Sequence, residues 1–294
     1  MDPRTTRRRL ILLAGALVAV PLLSSCASAP TASAPPLSVD VSKVESYSST
    51  MALLDPVAGT IALPLDAYAM NDDDLILVET ANDHLMDDCL KKSGFRNPLL
   101  DVDRRQGVRI ADRRYGVWTD AEARYGYDLP PNPTADKLSE LLQKQSQAWS
   151  DAQGKCYTKS APLPILTLTV ADANKTVVAL GARGATEAFV YASGTKEWKK
   201  ARQDWWDCMS GQGLTPRTGP EDWGPVIPAD AEAALRTASI DVACKRKVDL
   251  VQRLANIEAR YQAAFVAENQ AALNTERGRV DQVLNKAKEI VGTR

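Results

Sequence analysis

The apolar positions along this chain recur at three and four residues far more often than they alternate, and that spacing predicts an all-α fold with at most minor β content. Asn71-Asp72-Asp73-Asp74 offers side-chain oxygens and negative charge to free backbone N–H groups at a helix start. Leu75, Val78, Leu85, Met86, Cys89 and Leu90 follow on one face, and Gly94 supplies a left-handed stop. Thr134 is read as the cap of a second helix carrying Leu138, Leu141, Leu142, Trp149, Ala152 and Cys156, ended by Pro162 and Pro164. Leu166 to Val170 reads as a short strand. Val178, Ala182, Ala185, Phe189 and Ala192 then argue a helix, although Gly181 and Gly184 weaken it. From Thr195 a further helix brings Trp198, Ala201, Trp205, Cys208 and Met209 together.

The last element predicted is the longest. Ile240, Ala243, Lys247, Leu250, Leu254, Ile257, Tyr261 and Ala264 keep one seam, so a single helix is expected from Ala229 to Thr275. At 1.5 Å per residue it would be about 70 Å long, wider than a small domain. Its far end should project, pair with a partner, or fold back at Gly278 with Val280, Val283, Leu284 and Ile290. Three stretches lack helical spacing. Residues 39–55 carry no firm pattern. Ile61 to Tyr68, broken by Pro64, reads as an extended arm on the core. Asp101 to Asn132 reads as loop with a short helix begun by Thr119 and closed by Pro130-Pro131.

The N-terminus follows a different logic. Arg7, Arg8 and Arg9 precede an apolar run from Leu10 to Leu23 that is too short for a membrane span. Leu23-Ser24-Ser25-Cys26 at its end resembles a bacterial lipobox. The resemblance implies removal of residues 1–25, attachment of diacylglycerol to Cys26, and a place on the outer face of the cell membrane. Thr6 to Ile11 also resembles a twin-arginine signal, and an arginine-rich start serves that route and general secretion alike. Residues 26–38 then form the lipidated Cys and a tether of Ala, Ser and Pro. A dozen residues at about 3 Å each hold the fold within some 30 to 40 Å of the bilayer. Two helical halves are expected beyond it, 39–160 and 161–294, packed as one domain.

Hydrophobic residues make up 45% of the chain and charged residues 25%, enough apolar content for most of the mature chain to fold. The net charge of −1 falls to near −4 once four Arg and one Asp leave with the signal, so nothing recruits nucleic acid. Beyond Cys26 four cysteines remain, Cys89, Cys156, Cys208 and Cys244. An even set in an exported protein reads as two disulfides, and gaps of 67, 52 and 36 residues do not suit a zinc site. Asp88-Cys89-Leu90 with Gly94-Phe95, and Asp207-Cys208-Met209 with Gly213-Leu214, repeat one pattern: a Cys in the last turns of a helix before a terminating Gly. Each copy is followed by another Cys on a predicted helix. Four cysteines allow three pairings, of which Cys89 with Cys156 and Cys208 with Cys244 is the economical one, each stapling a helix hairpin.

These motifs, with Pro64 to Tyr68, the Tyr115 to Tyr127 stretch, Trp205 to Gly213 and Cys244-Lys245-Arg246, resemble uncharacterised secreted lipoproteins of actinobacteria over most of residues 61–275. The chain departs from them at Leu90, where they carry Met, and at Leu214, where they carry an aromatic. The resemblance implies compartment and fold and brings no settled activity.

Candidate chemistry is sparse. His84 is the single histidine, and Asp83, Asp87 and Asp88 lie at helical spacing around it, a weak metal or proton-relay geometry against the ordinary reading of a solvated acidic face. Asp101-Val102-Asp103 begins like a calcium loop, but Arg105 and Gln106 occupy the next ligand and the turn glycine, so no metal or other cofactor is expected. No Gly-x-Ser-x-Gly elbow is present. A non-enzymatic binding protein is therefore the leading expectation, with a carboxylate-based cell-wall hydrolase or its accessory as the alternative. Tyr115, Trp118, Tyr125 and Tyr127, beside Arg114 and Arg124, are the candidate ligand-binding platform, and Trp205-Trp206 offers one ring inward and one outward. The ordinary reading of these rings is packing between helices. The expected partners are the membrane, through Cys26, and the cell wall or an envelope protein. A third reading makes residues 265–291 a docking helix for a membrane complex.

Overall fold

The structure is a computed structural model describing residues 39–168, 180–220 and 222–293. The signal-like segment, Cys26, the tether, Thr169, Val170 and Val178 lie outside the described residues. Among the described residues helix occupies 65% and strand 3%, so the fold is all-α as the periodicity predicts. The helices are α1 (Asp72–Lys91), α2 (Asp120–Ala123), α3 (Pro133–Gln143), α4 (Gln147–Lys159), α5 (Leu180–Gly194), α6 (Lys196–Gly211), α7 (Ala231–Lys247) and α8 (Leu250–Gly292).

α1, α5, α6, α7 and the N-terminal segments pack around α8. Its first half is buried on several sides: Leu250, Leu254, Ile257, Ala264 and Phe265 meet α5, α6 and the N-terminal segments. Close approach to α5 depends on a glycine, since a Cβ at Gly184 would overlap the Phe265 ring. At Asn269 (φ −114°) the helix kinks, with Asn269 Nδ2 donating to Phe265 O at 2.9 Å. Beyond the kink, Val280, Leu284 and Ala287 form a narrower stripe against Val78 and Ala81 of α1.

The single helix expected from Ala229 is corrected to two. α7 ends at Lys247, and after Val248 the chain turns at Asp249, whose φ is a left-handed 54°. The break goes with α7's own inner face, which is Thr237, Ala238, Asp241, Val242, Cys244 and Lys245 rather than the expected Ile240, Ala243 and Lys247. An inner face built from small and charged residues does not show in an apolar count. Nor does the chain fold back at Gly278, where α8 continues unbroken, and its far end neither projects nor stands free.

The helix expected from Thr134 to Cys156 is likewise two. Asn132, not Thr134, caps α3, accepting from Ala135 N at 3.2 Å, and Ser146 caps α4, accepting from Trp149 N at 3.2 Å. α3 buries none of its residues, so Leu138, Leu141 and Leu142 mark a surface helix. Residues 166–168 form no strand; they run irregularly beside α1, with Met70 N donating to Leu166 O at 2.9 Å. The strands that do form are β1 (Leu53–Asp55) and β2 (Thr60–Ala62), an antiparallel hairpin pairing Leu53 with Ala62. The arm after it is docked as expected, through Ile61, Leu63 and Leu65, but Pro64–Tyr68 winds into a 3-10 turn.

Cys89 bonds to Cys156, joining α1 to α4, and Cys208 to Cys244, joining α6 to α7. The repeated motif has one geometry in both copies. Gly94 (φ 79°) and Gly213 (φ 78°) turn the chain, and Phe95 N and Leu214 N donate back to Leu90 O and Met209 O at 3.1 and 3.0 Å. Among the described residues no helix is long and apolar enough to cross a membrane.

Candidate functional site

The candidate site is a groove between α1 and the segment that follows it. An Asn71–Asp74 capping box starts α1, and Val78, Ala81 and Leu90 turn one face inward. On another flank Glu79, Asp83 and Asp87 fall at intervals of four and hold the returning chain. Asn97 N donates to Asp87 Oδ1 at 2.7 Å, Arg104 Nε to Asp83 Oδ2 at 2.9 Å, and Arg104 Nη1 to Glu79 Oε2 at 3.1 Å. Asp83 and Asp87 are buried, which corrects the reading of a solvated acidic face. Burial opposes the charge on Asp87, but the hydrogen bonds from Lys91 and Asn97 N hold its pKa below the usual carboxylate range.

The groove so formed has a volume of about 700 Å³. Ile76, Leu77, Leu99, Leu100, Val102 and Val291 line it with apolar groups, and Thr80, His84, Asp101, Asp103 and Arg105 are among its polar groups. Arg105 and its neighbouring N–H hold Asp103 below the usual carboxylate range. A second hollow of about 370 Å³ adjoins it, sharing Ile76 and Arg104, and reaches the start of α3. Arg104 stands between the two. His84 is half-buried in the larger hollow, and no cluster that could hold a metal ion occurs among the described residues.

The four aromatic residues expected to share a platform are separated. Tyr115 is fully buried, and its hydroxyl donates to Glu258 Oε2 at 2.8 Å; Arg114 donates to the other carboxylate oxygen at 2.6 Å. Trp118 is buried, with Nε1 donating to Asp112 O at 2.8 Å. Tyr127 is half-buried and donates to Asp241 Oδ2 at 3.2 Å, and Tyr125 alone of the four is exposed. The rings lie inside because polar partners meet them there: Glu258 and Asp241 receive the two hydroxyls. Trp205 points inward and donates to Asp241, and Trp206 is half-buried.

The chain matches no family model, no curated protein and no solved structure.

A buried ionic pair ties this interior together. Lys245 Nζ donates to Val117 O at 2.7 Å, to Trp223 O at 3.0 Å and to Asp241 Oδ2 at 3.3 Å. Burial pushes the Asp241 and Glu258 carboxyls upward and the Lys245 ammonium downward, each against the pull of its charged partner. Every one of these groups is engaged with another, so the network joins α6, α7, α8 and the 112–118 segment. These buried charges carry no sequence signature beyond the i, i+4 spacing of Asp241 and Lys245, which reads equally as a surface pair.

Proposed function

We propose that the chain is an exported, lipid-anchored protein of the outer face of the cell membrane that binds a cell-envelope component in the groove beside α1, without covalent chemistry. The groove itself carries the reading: a hollow of about 700 Å³ lined by six apolar and eight polar residues offers a small ligand both apolar area and hydrogen-bonding partners. Its mixture of leucines, carboxylates and arginines suits a ligand with an apolar body and both donors and acceptors at its edge. The two disulfides and the lipobox-like Cys26 support the compartment. The carboxyls that burial pushes upward, Asp66, Asp241 and Glu258, lie outside the groove, which supports binding over acid catalysis. The apolar stripe of residues 273–287 packs on the chain itself, which weighs against the docking-helix reading.

The test is co-sedimentation of the mature, unlipidated chain with purified cell wall. Saturable pelleting, lost when Thr80→Arg fills the groove, is the expected result. Protein left in the supernatant would overturn the reading, and wall fragments released by the wild-type chain would make it a hydrolase.

A further inference from the structure

The outward side of the N-terminal hairpin carries Leu53 and Ala62 beside Asp55 and Thr60, with Met51 before the first strand and Val57 at the tip. From Met51 to Leu54 the chain alternates: Ala52 is buried and Leu54 packs on the core, while Met51 and Leu53 are 59% and 74% exposed. Val57 at the tip is 92% exposed. The tip is fixed by Asp55 Oδ1, which accepts from Val57 N at 2.8 Å and Ala58 N at 3.0 Å. The base is fixed on α8, since Ala52 N donates to Asn256 Oδ1 and Ala52 O accepts from Gln252, both at 3.0 Å. Met51, Leu53 and Val57 lie within seven residues of one another, and a lipid boundary would bury all three.

Beside Met51 lies a hollow of about 460 Å³ lined by Lys200, Arg253 and Arg260. Lys200 and Arg253 share Asp204, and Arg260 pairs with Glu197, so three cations meet two carboxylates and the hollow is net positive. Ser48, Thr50 and Asn256 add hydrogen-bonding groups. Apolar prongs next to a cationic hollow match a bilayer with anionic headgroups.

The tether allows this contact. Val39 is buried with Phe265 and Leu273, and Lys43 pairs with Glu268, so the chain reaches the fold near that part of α8. The hairpin sits by residues 252 and 256, about 20 Å further along the helix at 1.5 Å per residue. Residues 26–38 span at most about 40 Å when extended, which covers that distance.

We infer that the β1–β2 hairpin and the cationic hollow beside it dock the protein on an anionic lipid surface, with Leu53 and Val57 entering the headgroup boundary and the hollow taking a lipid phosphate. The inference rests on the membrane anchor proposed above. A lipid at Cys26 holds the protein near the bilayer; the hairpin sets which side faces it.

The test is sedimentation of the mature chain carrying Cys26→Ser with vesicles of phosphatidylglycerol and phosphatidylcholine, and with vesicles of phosphatidylcholine alone. Binding to the anionic vesicles, weakened by salt, is expected, with a loss of about tenfold or more in Leu53→Asp/Val57→Asp. Lys200→Glu/Arg260→Glu should lose binding as well. Unchanged circular dichroism and melting temperature would establish that the exposed substitutions leave the fold intact. No binding to the anionic vesicles, equal binding to both kinds, or full binding by the double aspartate variant would overturn the inference. Acyl labelling of Cys26 in cells is read separately: an unlabelled Cys26 with intact vesicle binding would sink the anchor and leave the docking face standing.

Discussion

Arg104 reaches across from the segment after α1 to Asp83, its Nη2 lying 2.8 Å from Asp83 Oδ2, and both side chains are largely withdrawn from solvent. The pair sets one wall of the groove and separates the two hollows. Arg104→Ala should cost about 1 to 3 kcal/mol, because it leaves Asp83 without its charged partner. Thermal melting of R104A, D83N and the double variant checks this: the double variant should lose less than the sum of the singles.

Asp87 makes the stability of this wall depend on acid. Its folded pKa lies below the ordinary 3.8, so its contribution is present above that value and is lost as pH falls through the folded pKa. Melting temperatures recorded across about pH 5 to 2 should fall less steeply for Asp87→Asn than for the wild type. Parallel curves would show that Asp87 is not the group responsible.

Reduction should be costly. The disulfides close loops of 67 and 36 residues, each contributing about 4 kcal/mol in the chain-entropy view. Melting with and without a reductant measures the sum, and Cys89→Ser/Cys156→Ser against Cys208→Ser/Cys244→Ser separates the two.

Gly184 should tolerate no side chain. The added Cβ of Gly184→Ala would run into the Phe265 ring, and forcing α5 away from α8 should cost about 1 to 3 kcal/mol. Denaturant unfolding of G184A reads it directly. Gly278→Ala, with nothing within 4 Å of the new Cβ, is the control expected to be neutral or stabilising.

The local parts of the fold were legible from the residues alone. The three-four spacing located α1, α6 and the seam of α8, the cap at Asn71 and the stops at Gly94 and Gly213 marked helix ends, and the paired motifs pointed to both disulfides. These features are decided by residues within a turn or two of one another, or by chemistry that permits few partners. Where the long helix breaks and what the polar residues do came instead from long-range packing. The turn at Val248-Asp249 depends on α7 presenting Asp241 and Lys245 to an interior that already holds Trp205, Tyr127 and Val117 O. The groove depends on Asp83 and Asp87 meeting Arg104 and Asn97 N, and Tyr115 left the surface because Glu258, 143 residues away, was there to receive its hydroxyl. A carboxylate looks the same in sequence whether water or an arginine faces it, and the partner that settles the matter is brought up only by folding.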